Sequence, residues 1–228
     1  MKTALVVAAH PDDEVLGCGG TIARLGDEGW QVHILILAEG ATSRDSQRDR
    51  SGRAEDLSEL AQCAHAASKR LAAASLVLCD FPDNRMDSCD LLDVVKRIEA
   101  RIQETGPSRV LTHSASDVNV DHRVIHDAVI AATRPKPGAG VRELWFFEVA
   151  SSTEWRPPTS LPPFSPTLFV DITGAIERKL AALDDYGPEM ADFPHPRSTE
   201  AVRHLACWRG ASVGTSAAEA FEVGRIII

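Results

Sequence analysis

Short apolar runs rich in Val, Ile and Leu alternate with longer segments of helical period through about two thirds of the chain. Strands buried on both faces read as continuous apolar runs, and strand-helix alternation requires right-handed crossovers between parallel strands. The expected strands are Thr3 to Ala9, Gln31 to Ala38, Ser75 to Asp80, Arg109 to His113 and Glu143 to Val149, with helices near Glu14 to Glu28, Arg53 to Ala74, Leu91 to Thr105 and Asp121 to Thr133. The fold class is therefore α/β, Rossmann-like: a mostly parallel sheet flanked by helices.

After Ala150 the character changes. The stretch "RPPTSLPPFSP" carries five of the thirteen prolines, which remove backbone donors and favour extended or turning chain. A short strand (Leu168 to Asp171) and two helices (Gly174 to Tyr186, Ser198 to Gly210) follow, separated by "PHPRS". The expectation is a single domain over 1–228, with a core of about 1–150 and a small C-terminal strand-helix extension of about 151–228.

Composition excludes several functions. Net charge is −9 with both signs interspersed, so no basic face offers itself to nucleic acid. No apolar run reaches the roughly 20 residues that span a bilayer, and "MK" leads into the first strand without a signal-type segment; the expected compartment is the cytoplasm. Five cysteines without C-x-x-C spacing suggest buried free thiols, not a disulfide framework or a thiolate zinc site.

In open α/β sheets, the loops at the carboxyl ends of the strands share one crevice. Three polar clusters should meet there: His10, Asp12, Asp13 and Glu14 in "AHPDDE"; Asp80, Asp83, Asn84 and Arg85 in "DFPDNRMDS"; and His113, Asp117, Asn119, Asp121 and His122 in "THSASDVNVDHR". Two histidines and one carboxylate with an open position form a common catalytic zinc site and can also suit Fe2+. A further carboxylate beside such an ion can take a proton from water, which points to a hydrolase.

Blander readings compete with each piece. Asp12 or Asp13 could simply cap the next helix, although that leaves the second cluster unexplained. His126, one turn beyond His122, is either another ligand or a neighbour on the helix face. His33 and His65 read as structural. "GCGG" lacks the G-x-G-x-x-G spacing of a dinucleotide site, so its glycines are expected to allow close packing of the first helix. The four arginines of "SRDSQRDRSGR" are either a solvated loop or a grip on phosphate or carboxylate.

"AHPDDE", "AEG", "FPDNRMD" and "HSASDVNVDH", in this order, resemble the PIG-L or LmbE-like family of zinc-dependent N-acetylglucosaminyl deacetylases. The resemblance implies His10, Asp13 and His122 as metal ligands, Asp12 as general base, and Asp121 as a carboxylate that orients a neighbouring catalytic group. It places Asp83 on sugar hydroxyls, and Arg85 is assigned the same role. Where several family members have a histidine and a tyrosine that serve the leaving group or oxyanion, this chain has Asn119 and Asp117. Asn119 is therefore expected to donate to the oxyanion, Asp117 to border the substrate, and His195 of "PHPRS" to approach from the C-terminal segment. Ser152 and Glu154 are further candidates for the rim.

The implied partner is a small N-acetylated sugar or sugar conjugate, and the family's trimers and hexamers imply self-association. Two rivals stand beside this reading: a metal-dependent phosphoesterase, which would need a second ion, and a non-catalytic sugar-binding module.

Overall fold

The structure, a computed structural model, describes residues 2–160 and 162–228; Leu161, inside the proline-rich connection, lies outside them. The first five strands are β1 (Thr3–Ala8), β2 (Gln31–Ala38), β3 (Ser75–Phe81), β4 (Arg109–His113) and β5 (Glu143–Phe147). They pair in parallel in the order β3-β2-β1-β4-β5. Between them run α1 (Asp13–Asp27), α2 (Ala54–Arg70), α3 (Leu91–Thr105) and α4 (Val120–Ala132). The chain leaves β1 in one direction for β2 and returns to its other side for β4. Loops diverge there, and the crevice opens at the carboxyl ends of β1 and β4.

Alternation along β1 divides the interior into two cores. Ala4, Val6 and Ala8 pack with residues of α1 and α2, whereas Leu5, Val7 and Ala9 pack with Val94 and Ile98 of α3 and Ile125 and Val129 of α4. Both faces of the strand are covered, which explains its unbroken apolar run.

The C-terminal segment holds β6 (Leu168–Asp171), α5 (Ile176–Asp184), α6 (Thr199–Ala211) and β7 (Ala218–Ile226). β7 lies antiparallel between β5 and β6, completing a seven-stranded mixed sheet. The expected extension has only one strand; the second is "AEAFEVGRI". It continues the core sheet instead of standing apart from it.

α1 is kinked at Cys18, where φ is −149°. The buried carboxylate of Glu219 on β7 accepts the N–H groups of Gly20 and Thr21 at 2.9 and 2.7 Å, while Lys179 donates to Glu219 and to the carbonyl of Leu16 at 2.6 and 2.8 Å. This buried pair joins α1 to α5 and β7. Its hydrogen bonds satisfy groups that a broken helix would otherwise leave unpaired.

The glycines of "GCGG" serve close packing, as expected. A Cβ on Gly17 would stand 2.3 Å from the Phe147 ring, and one on Gly20 would stand 2.7 Å from Ile172. The thiols depart from expectation: only Cys18 is buried, Cys63, Cys79 and Cys89 are half-buried, and Cys207 is exposed on α6. No helix among the described residues is long and apolar enough to cross a membrane.

Candidate metal centre

Asp13 stands at the middle of the crevice. The turn after β1 places it on the first residue of α1, fully buried, with its Oδ2 3.2 Å from His10 Nδ1 and 3.1 Å from His122 Nε2. Each imidazole is held on its other side by a second carboxylate. His10 Nε2 lies 3.1 Å from Asp121 Oδ2, and His122 Nδ1 lies 3.0 Å from Asp117 Oδ2. Carboxylates in this position fix the ring and leave the opposite nitrogen for a metal.

Two groups among the described residues have donor atoms within 4.8 Å of one another: His10, Asp13 and His122, and His10, Asp83 and Asp121. The first fits an ion better. Asp13 Oδ1 is buried without a hydrogen-bond partner among the described residues, as an unfilled ligand position would be, and the neighbour of His122 Nε2 is the other oxygen of the same carboxylate. The carboxylates of the second group are already engaged. Asp83 Oδ2 accepts from Ser43 N–H at 2.9 Å, and Asp121 accepts from Asn84 and Met86 N–H at 2.6 and 2.9 Å. His10 belongs to both groups, so the arrangement supplies one complete tripod.

The electrostatics agree with a site built for a cation. Burial opposes charge on His122, but the charge of Asp13 and hydrogen bonds to Asp117 and Asp13 raise its pKa to about 9. Burial likewise pushes Asp117 up, yet the hydrogen bond and charge of His122 and the Ser152 hydroxyl hold it at about 2. Both imidazoles of the tripod lie where negative charge gathers, and a bound cation would take over the role of the proton.

Asp12 sits beside the tripod in an unusual backbone conformation, with φ of 114°, a region that costs a non-glycine residue free energy. Its N–H donates to Glu14 Oε2 at 3.1 Å, and the other oxygen of that buried carboxylate receives the Tyr186 hydroxyl at 2.6 Å. Arg197 Nη1 donates to Asp12 Oδ2 at 2.9 Å, whereas Oδ1 has no partner among the described residues. Burial pushes the Asp12 carboxyl well above the usual range against the pull of Arg197, and the neighbouring Asp13 adds to the rise.

The remaining candidates occupy the following positions. Asp117 is fully buried and accepts from Ser152 Oγ, from Thr153 Oγ1 at 2.8 Å and from Asn119 N–H at 2.8 Å while holding His122. Asn119 caps α4: its Oδ1 accepts from Asp121 N–H at 2.8 Å and its Nδ2 donates to Asn84 at 2.9 Å. Its oxygen is committed to the helix start and one of its two amide hydrogens to the neighbouring loop.

Asp83 is buried 3.3 Å from His10 Nε2, and its Oδ1 accepts from Asn84 Nδ2, so its carboxylate orients the site instead of facing outward. Arg85 turns away to donate to the carbonyls of Asp45 and Ser46. His195 lies at the rim, accepting from Arg197 N–H at 3.1 Å and meeting Trp155 edge-on. His126 Nδ1 donates to the carbonyl of His113 at 2.9 Å, and the residue is no part of either metal group.

The four arginines of the loop after β2 are paired within the protein: Arg44 with Glu189, Arg48 with Glu39, Arg50 with Glu39 and Asp80, and Arg53 with Asp45 and Asp56. Four residues given no specific role also support the centre: His113 and Glu14 of the strand-end clusters, and Tyr186 and Arg197 from the C-terminal segment. His113 stacks on His122 with centroids 3.9 Å apart and accepts from Ala9 N–H, while Glu14, Tyr186 and Arg197 hold Asp12. Arg197 lies two residues after His195 in the very stretch that drew attention, whereas Tyr186 carried no distinguishing sequence signal.

The model of the GlcNAc-PI de-N-acetylase family, PIG-L, matches residues 5–133, more than half of the chain. The protein belongs to the PIG-L family. Its relatives within this LmbE-like group differ in chemistry. A 4-oxalmesaconate hydratase of Pseudomonas putida is 29% identical over 201 residues, covering 80% of this chain and 72% of that protein. A probable N-acetyl-α-D-glucosaminyl L-malate deacetylase of Bacillus cereus is 31% identical over 138 residues, 60% of this chain and 63% of its own length. The crystal structure of the 4-carboxy-2-hydroxymuconate hydratase of Pseudomonas putida superposes with a TM-score of 0.77 at 27% identity, covering 100% of this chain and 98% of that one. The PIG-L tripod thus occurs in a fold shared by deacetylases of sugar conjugates and by hydratases.

Proposed function

We propose that the protein is a zinc-dependent N-deacetylase that releases acetate from an N-acetylated amino sugar or sugar conjugate. The observation that carries this reading is the juxtaposition of a complete tripod, His10, Asp13 and His122, with the buried carboxylate of Asp12. A zinc ion on those three side chains would lower the pKa of water and polarise the acetamide carbonyl.

The chain's own residues divide the remaining work. Asp12 accepts a proton as the water oxygen bonds to the carbonyl carbon and the C=O electron pair shifts to oxygen. When that pair returns, the C–N bond breaks and Asp12 delivers the proton to the departing nitrogen, giving acetate and a free amine. Glu14 and Tyr186 keep Asp12 in the backbone conformation that points it at the tripod. Asp117, Asp121 and Asp83 fix the two imidazoles.

A second reading is a hydratase that adds water across a carbon-carbon double bond. The 27% identical hydratase structure that matches the whole chain favours it, as do Asn119 and Asp117 at the positions where the resemblance expects a histidine and a tyrosine. A phosphoesterase has less support, because the second set of carboxylates is already bound to backbone N–H groups.

The deciding experiment is acetate release from free, phosphorylated, nucleotide-linked and glycosidic N-acetyl sugars, with metal content determined and a chelated control. Metal-dependent release from one class supports the deacetylase. Hydration of an unsaturated dicarboxylate, with no acetate from any sugar, would replace it by the hydratase.

A further inference from the structure

The site as described has a base but no charged donor assigned to the oxygen that becomes negative during the reaction. Asn119 is committed to the α4 cap and Asn84, and Asp117 is an acceptor buried behind His122. Another group reaches the crevice from outside the family-matched residues 5–133.

Arg197 immediately precedes α6, whose start is fixed by Ser198 Oγ accepting from Ala201 N–H at 3.0 Å. Its guanidinium is held at two points. Nη1 donates to Asp12 Oδ2 at 2.9 Å, and Nε donates to Ser151 Oγ at 2.7 Å on the loop after β5. The side chain is only 25% exposed, and Nη2 has no acceptor among the described residues. A planar fork anchored at Nε and Nη1 has its Nη2 direction set as well.

The anchoring also divides the two oxygens of Asp12. Oδ2 is held by Arg197, so Oδ1, which no protein donor reaches among the described residues, is the atom left to take the proton from water. Attacking water and reacting carbonyl must be neighbours. A donor hydrogen-bonded to the base therefore stands close to the carbonyl oxygen.

Resting on the deacetylase reading, we propose that Arg197 is the oxyanion donor of this enzyme: Nη1 holds Asp12 while Nη2 hydrogen-bonds the carbonyl oxygen as it gains charge. The guanidinium stays protonated throughout. The carbonyl electron pair moves to oxygen as water attacks and returns as the C–N bond breaks, and the only proton transferred passes from water through Asp12 to nitrogen.

Removing one such donor costs about 100- to 1,000-fold in kcat in other hydrolases. In the metal-loaded protein, Arg197→Gly is expected to lose about that much kcat with KM within about threefold. Added guanidinium should restore at least about tenfold while leaving the unfolding midpoint unchanged, and Arg197→Lys should fall between the two. A purely structural arginine would lower the midpoint and give no rescue, which overturns the proposal, as does kcat within about threefold of wild type.

A second readout needs no turnover. Methylphosphonate, a tetrahedral oxyanion, should bind the metal-loaded Arg197→Met protein at least about tenfold more weakly than wild type, and equal affinity overturns the assignment. If wild type releases no acetate, the deacetylase reading falls by itself, and this comparison still decides whether Arg197 serves an oxyanion.

Discussion

Asp117 Oδ2 lies 3.0 Å from His122 Nδ1, so the last candidate ligand of the tripod is set by a carboxylate on the far side of its ring. Loss of such a partner typically weakens metal affinity about 10- to 100-fold. Asp117→Asn is expected to do so here while leaving the tripod in place. Competition with a chromogenic chelator measures it, and unchanged affinity would mean that Asp117 serves only to bind Ser152 and Thr153.

The same pair gives metal binding a pH dependence. In the metal-free protein, His122 titrates at about 9, above its ordinary 6.5, so its contribution to stability is complete below pH 6.5 and is lost as pH rises through 9. An ion must displace that proton. Because His10, the other imidazole of the tripod, is raised in the same direction, affinity should rise across this window by up to about a hundredfold per pH unit, with about one to two protons released per ion. Calorimetric titration in two buffers of different ionisation enthalpy counts the protons, and none released near neutral pH would contradict the assignment of His122 as a ligand.

Asp12 is not a ligand in this account, and its removal should separate binding from chemistry. Asp12→Asn is expected to keep about one ion per chain and to lose about 100- to 10,000-fold in kcat. Metal analysis together with turnover checks both halves. A near-wild-type rate would end the role of Asp12 as base.

Gly17 couples the packing of α1 to the site. An added Cβ would meet the Phe147 ring at 2.3 Å, and that ring meets His113 edge-on with centroids 4.8 Å apart. Gly17→Ala is expected to cost about 1–3 kcal/mol through overpacking. Denaturant unfolding of the metal-free protein reports it, with an unchanged midpoint showing that Phe147 moves aside freely.

The parallel core was legible because each strand buried on both sides reads as an apolar run: Gln31–Ala38 and Arg109–His113 have the expected bounds. β7 was not, since "AEAFEVGRI" shows neither a continuous apolar run nor a two-residue alternation: Ala218 to Phe221 are all buried, Glu219 among them, and the rest is half-buried or exposed. The three candidate ligands stand in local motifs at strand ends, and the structure brings them together. Their supports do not announce themselves. Tyr186 and Arg197 lie more than 170 residues from their partners, Glu14 and Asp12, and reach them only through the packing of the C-terminal segment. Asp117 and Asn119 were visible as site residues, but their roles depend on hydrogen bonds to Ser152, Thr153 and Asn84 that no spacing reveals.

The central claim is that this tripod and Asp12 direct water onto an acetamide carbonyl, and its most direct test is turnover of an N-acetyl sugar conjugate by the metal-loaded protein in 18O-labelled water. The account requires free amine and acetate in equal amounts, one labelled oxygen per acetate, and loss of both products on chelation. Metal-loaded protein that forms no acetate, yet inserts labelled water into an unsaturated dicarboxylate, would contradict it and assign the site to hydration.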